Sequence, residues 1–196
     1  MLVLGTRLKD TPVMSLQTGT RLATTSTPLI NPANLKIIAF ELEGPLLAEK
    51  PSFLRVADIR ELSGVGMIID SNDELLGLDD VIKIKELYEL DFKLIGMNVI
   101  DEHKKKLGKV DNYTLETGSF VIEQLNVKHG ILRGLTDTGL LIHRSQITEI
   151  NDNAIIVKST AKKIRVEPVM EAVRHEYVNP FRRPAGQPEQ TTDAQS

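Results

Sequence analysis

The 196-residue chain has no cysteine. That excludes disulfide staples, thiol nucleophiles and thiolate zinc sites together, and it suits a reducing compartment. Charge of one sign is not in excess: 24 Lys and Arg stand against 27 Asp and Glu, a net charge of −3. Such a balance sets up no strong field for a polyanion, so nucleic acid is not the default partner. No window approaches the roughly 20 apolar residues that a membrane-spanning helix needs. Met1 to Arg7 leads straight into Lys9 and Asp10, so neither a signal peptide nor an anchor is expected. What remains is ordinary globular material, 41% hydrophobic and 26% charged. It is enough to bury a core in one domain or two small ones.

The strongest signal is internal repetition. A first copy runs from about Pro12 to Ser71 and a second from about Asn98 to Ser159. Val13 and Met14 match Val99 and Ile100 at a spacing of 86 residues, and Phe40 and Leu42 match Leu125 and Val127 at 85. Leu54, Ile59, Glu61, Leu62, Met67, Ile68, Ile69 and Ser71 match Ile142, Ile147, Glu149, Ile150, Ile155, Ile156, Val157 and Ser159, all at 88. The drift in spacing is what loop insertions and deletions produce.

Each copy reads as short strands separated by turns. In the second, Met97 to Ile100 precedes the polar stretch Asp101 to Lys106, then Leu107-Gly108 and a strand from Lys109 carrying Val110 and Tyr113; in the first, Gln17 to Thr20 occupies the equivalent turn. A longer strand follows, Leu35 to Leu42 or Ser119 to Val127. Phe120 and Ile122 are out of phase with Leu125 and Val127, which predicts a bulge near Gln124 or burial on both faces. A last hairpin, Phe53 to Ile69 or Leu141 to Val157, turns at Ser63-Gly64 or Asn151 to Asn153. Five or so short strands without intervening helices predict a small antiparallel barrel or roll. After each set comes a candidate helix: one with Asp79 and Asp80 as capping carboxylates ahead of Val81, Ile84, Leu87 and Tyr88, the other with Glu167-Pro168 ahead of Val169, Ala172, Val173 and Tyr177.

Leu94-Ile95-Gly96, Val99-Ile100-Asp101, Leu107-Gly108-Lys109-Val110 and the run from Val121 to Gly130 resemble the PRC-barrel family. Pro12-Val13, Thr18-Gly19, Arg21-Leu22 and Leu35 to Phe40 carry the same resemblance in the first copy, with Leu22-Ala23 where the second has Leu107-Gly108. The resemblance implies small β-barrels that work as adaptors rather than catalysts, as in the cytoplasmic domain of the photosynthetic reaction centre H subunit, the ribosome maturation factor M and small prokaryotic proteins, some linked to cell division. No hydrophobic anchor is seen ahead of the first copy, and both copies look alike, which sets the chain apart from the first two.

Few side chains promise chemistry. The histidines at 103, 129, 143 and 175 form no i, i+4 pair and no HExxH, so a metal or triad role is not expected. Asp70 to Glu74 begins like a calcium loop but has Leu75 where the sharp turn needs glycine, and it reads as a solvated turn. Ser63-Gly64-Val65-Gly66 lacks the remainder of a phosphate cradle and serves a hairpin. Basic residues cluster once, at His103, Lys104, Lys105, Lys106 and Lys109, where a hairpin tip could meet phosphates; no aromatic is interleaved to stack bases, and Asp101, Glu102 and Asp111 dilute the charge. In the polar tail, Phe181, Arg182 and Arg183 stand between Pro180 and Pro184 as a candidate linear motif for a partner protein.

These readings define the expectation. The fold is mainly β, two tandem PRC-barrel-like lobes at residues 1–92 and 93–178, each followed by a short helix, with a disordered tail at 179–196. The function is that of a cytoplasmic, non-enzymatic interaction or scaffold module, with no catalytic, metal or cofactor residues, a protein partner and an open option of self-association. The alternative is an RNA- or ribosome-associated assembly factor using the basic hairpin 103–109.

Overall fold

The computed structural model describes residues 1–128 and 139–159. The helix expected over 169–177 and the tail with Phe181, Arg182 and Arg183 lie outside them. The first half contributes β1 (Leu2–Leu4), β2 (Pro12–Ser15), β3 (Arg21–Asn31), β4 (Lys36–Glu43), β5 (Ser52–Arg55), β6 (Glu61–Ser63), β7 (Gly66–Ile69), β8 (Leu75–Gly77) and α1 (Ile82–Glu89). The second contributes β9 (Asn98–Asp101), β10 (Lys106–Glu116), β11 (Val121–Lys128), β12 (Leu140–His143), β13 (Ile147–Ile150) and β14 (Ala154–Val157).

Both halves follow one strand order. In the first it is β6-β7-β2-β3-β4-β5, with β8 beyond β5; in the second it is β13-β14-β9-β10-β11-β12. The repeated residues sit at repeated places: Val13 and Val99, Phe40 and Leu125, Leu54 and Ile142, Met67 and Ile155, Ile69 and Val157 are all buried. Even the irregularities are duplicated. The β2–β3 and β9–β10 ladders skip Leu22 and Leu107, and the β3–β4 and β10–β11 ladders skip Ile38 and Glu123. The second of these is the bulge expected near Gln124. It returns Ile122, Leu125 and Val127 to the same buried face.

Three expectations need correction. The lobes are not purely antiparallel, because β7 runs parallel to β2 and β14 parallel to β9. Neither half closes into a barrel: the 3₁₀ turns Val56–Asp58 and Arg144–Gln146 carry the chain round a corner, and no ladder joins β5 to β6 or β12 to β13. In the first half, the outer edge of β5 is taken by β8. Nor do the carboxylates ahead of α1 cap it. Asp80 accepts from the Gly77 N–H at 2.6 Å, Asp79 pairs with Lys85, and Val81 begins the helix with no side-chain cap. The helix is held by packing instead, Ile84 sitting in a small cluster with Leu29, Ala39 and Phe53.

The halves are joined through their backbones. Val121 of β11 pairs with Lys36 of β4, the Ile37 N–H donates to the Phe120 carbonyl and the Ile122 N–H donates to the Leu35 carbonyl, both at 2.9 Å. Leu35 and Phe120 occupy matched positions and both adopt left-handed backbone, φ 54° and 55°. One core therefore runs across the junction, where Phe40 meets Phe120 edge to face at 6.1 Å. The N-terminal strand crosses as well: β1 pairs with β10 of the second half, Leu2 opposite Glu116.

Four substitutions test this core and its close approaches. Phe40→Ala and Leu125→Ala should each lower stability by about 2–5 kcal/mol, since both side chains are fully buried. Charge changes at the exposed Lys104 to Lys106 should shift it by about 0.5 kcal/mol or less; thermal melts showing the reverse ranking would refute the core assignment. Gly108, at φ 146°, would place a Cβ 2.3 Å from the Lys128 carbonyl oxygen, whereas its counterpart in the first half is Ala23. Gly108→Ala should cost about 1–3 kcal/mol and Ala23→Gly only about 0.5–1 kcal/mol, read by urea unfolding.

Candidate functional site

The basic hairpin is a rigid feature. Asp101, at the end of β9, is buried, and its Oδ1 accepts from the backbone N–H groups of His103 and Lys105, each at 2.9 Å. Further backbone bonds, Lys104 N–H to the Asp101 carbonyl and Asp101 N–H to the Lys105 carbonyl, close the turn with Lys104 at φ 62°. Lys104, Lys105, Lys106 and Lys109 are all exposed. Among the described residues none of the four is in a salt bridge. Cross-strand pairing sets Lys109 opposite Lys128, a neighbour that the sequence does not reveal, although Lys128 is committed to Asp111 at 3.1 Å. The matched turn of the first half is built alike without charge: buried Ser15 stands where Asp101 does, and its Oγ accepts from the Thr18 N–H.

Other sequence candidates are consumed by local structure. Ser71 and Glu74 form a capping box around a 3₁₀ turn, and Asp70 pairs with Arg60, so the calcium-like run is a satisfied turn. Among the described residues, no group of three or more His, Asp or Glu side chains converges as a metal site would require. One grouping escapes the sequence. The β11–β12 ladder brings Glu123 within 3.5 Å of His143 Nε2, while Ser145 Oγ lies 2.7 Å from His143 Nδ1. The order of groups is that of a hydrolytic triad, but Nδ1 also accepts from the Ser145 backbone N–H at 3.2 Å as part of a turn cap. The trio is partly exposed on an open face, and its arrangement serves the chain reversal.

Among the described residues, three of the concavities lie along the junction. Two are related by the duplication: a groove of about 420 Å³ between the turn at 32–35 and β13, and one of about 300 Å³ between the turn at 117–120 and β6. Each is thus formed where a turn of one half reaches the open seam of the other, and in the first Arg144 Nη2 donates to the Asn34 carbonyl at 3.2 Å. The third, of about 330 Å³, has apolar walls. Leu8, Ile30, Phe40 and Leu94 line it, with Tyr113 from β10 and the rim residues Lys9 and Lys93. Extra residues bulged out of the ladders, Ser26 and Thr27 in β3 and Asp111 in β10, splay the strands there. Tyr113 is 3% exposed, packs against Gly5 with no room for a Cβ, and its hydroxyl has no hydrogen-bond partner among the described residues. Burial pushes its pKa up to about 12.

Residues 88–164 match the family model described as PRC-barrel domain. No curated protein matches the chain. The matched stretch contains the motifs from Leu94 to Val127 on which the resemblance in the second copy rests, and the first copy lies outside it.

Tyr113 makes a pH test. Its folded-state pKa lies above the ordinary 10.0, so the fold favours the neutral phenol; the stability this brings is full below pH 10 and is lost as pH rises toward 12. The loss should approach about 3 kcal/mol. Urea unfolding between pH 9 and 12 should show Tyr113→Phe less sensitive to alkali than the parent chain. Identical slopes would show that Tyr113 titrates normally.

Proposed function

We propose that the chain is a non-enzymatic adaptor made of two PRC-barrel-like halves, working in the cytoplasm and gathering a protein partner during cell division or the assembly of a larger complex. The lysine hairpin carries this reading. Four cations cluster on a hairpin whose turn is fixed by Asp101, and no described carboxylate neutralises them. Charges held on a rigid tip suit an acidic protein surface, because little side-chain and loop entropy remains to be lost on docking. In this proposal Phe181, Arg182 and Arg183 add a second, linear contact, and pairing of two copies is left open.

The same lysines favour a second reading, contact with RNA phosphates in an assembly factor. An affinity capture with the intact chain, a Lys104→Glu/Lys105→Glu/Lys106→Glu variant and a chain ending at Val178 separates the readings. A protein partner retained at 200 mM salt, weakened about ten-fold or more by the charge reversal, supports the adaptor. RNA whose retention falls steeply between 50 and 200 mM salt supports the alternative. Partners retained in full by both altered chains would remove the hairpin and the tail from the binding surface.

A further inference from the structure

The apolar cavity on the far side of the junction is used by neither reading above. Both halves line it from matched positions, Leu8 with Leu94 and Pro28 with Tyr113. The chemistry differs at the last pair, where one half supplies a proline ring and the other a buried phenol. A cavity placed purely by symmetry would have no need of that phenol. Tyr113 is almost wholly buried and its hydroxyl makes no hydrogen bond to another described residue, so its donor is free for a ligand in the cavity. At about 330 Å³ the cavity falls at the lower end of the range for small-molecule sites, which are apolar hollows with a few convergent polar groups.

The rim settles the sign of charge. Lys9 and Lys93 both line the mouth, and no Asp or Glu does. Lys93 is paired with Asp91 at 2.8 Å, while Lys9 has no ion pair among the described residues. Apolar walls, a buried donor and a cationic rim together describe the complement of an amphipathic anion. We propose that this cavity binds a medium-chain carboxylate, its hydrocarbon tail between Leu8, Ile30, Phe40 and Leu94 and its headgroup held by the Tyr113 hydroxyl and the rim lysines.

The test is calorimetric titration of the full chain with sodium decanoate, kept below its aggregation concentration, beside decyltrimethylammonium, which carries the same tail with the opposite charge. Saturable binding of one decanoate per chain is expected, with the cation at least about ten-fold weaker. Tyr113→Phe should weaken decanoate about five-fold by removing one hydrogen bond, and Lys9→Glu/Lys93→Glu about ten-fold. Ser26→Phe, which fills the space, should abolish it. Melting curves verify that each variant is folded; should Tyr113→Phe fail to fold, the exposed rim pair still decides. Absence of saturable decanoate binding would overturn the proposal, as would equal affinity for the cation or full binding by folded Ser26→Phe.

Discussion

The whole arrangement depends on two backbone hydrogen bonds exchanged between the halves, Ile37 to Phe120 and Ile122 to Leu35. They form only because Leu35 and Phe120 both take left-handed backbone, a conformation that costs a bulky L-residue about 1–2 kcal/mol each. Two net hydrogen bonds of about 1 kcal/mol each do no more than offset that cost. Burial decides the balance. Leu35, Ile37, Phe120 and Ile122 are all buried at the junction, and an apolar side chain of this size contributes about 1.5–3 kcal/mol when fully buried. The strained turns are therefore held by the hydrophobic contact they make possible, and the fourteen strands of the described residues form one sheet instead of two.

Once joined in this way, the two halves are free to diverge wherever the shared core does not reach. The outer face of the first is apolar, and α1 covers Leu29, Ala39 and Phe53 there. In the second half the matching ladder positions hold Thr114 and Gln124, and Asn126 beside them keeps a buried Oδ1 with no partner among the described residues. The hairpins diverge in the same sense, lysines at Lys104 to Lys106 against Gln17 to Thr20. Gly108 against Ala23 is the backbone version: the second half approaches Lys128 so closely that no Cβ fits. Duplication supplies the scaffold, and divergence gives each half a surface of its own.

What could be read in the sequence was local or repeated. The matched apolar residues marked the buried positions, since burial and alternation act on each strand separately. A break in phase at Ile122 and Leu125 was enough to place a bulge. Ladders between distant segments leave no such trace. Nothing in Pro12 to Ser15 shows that its second neighbour is the parallel strand Gly66–Ile69, and nothing in Leu2–Leu4 shows that it crosses to the other half. Asp79 and Asp80 had the right spacing for helix caps, yet a salt bridge and the Gly77 N–H claimed them. The apolar cavity was hidden for the same reason, as its lining comes from five separate stretches that only the junction assembles.

Strand β10 links the two surfaces proposed above. Lys106 and Lys109 stand at one end, Tyr113 faces the cavity in the middle, and β1 pairs with the other end through Glu116. Four residues of strand separate Lys109 from Tyr113, about 13 Å at 3.3 Å per residue. That strand is hydrogen-bonded to β9 and β11 and its inward side chains are buried, so it cannot shift by itself without breaking ladders on both sides. A ligand in the cavity would accordingly act by mass action on the folded body as a whole, and not by moving the lysine hairpin relative to the core. The hairpin and the cavity are two independent surfaces on one rigid strand. The charged tip would keep the same geometry whether the cavity is filled or empty.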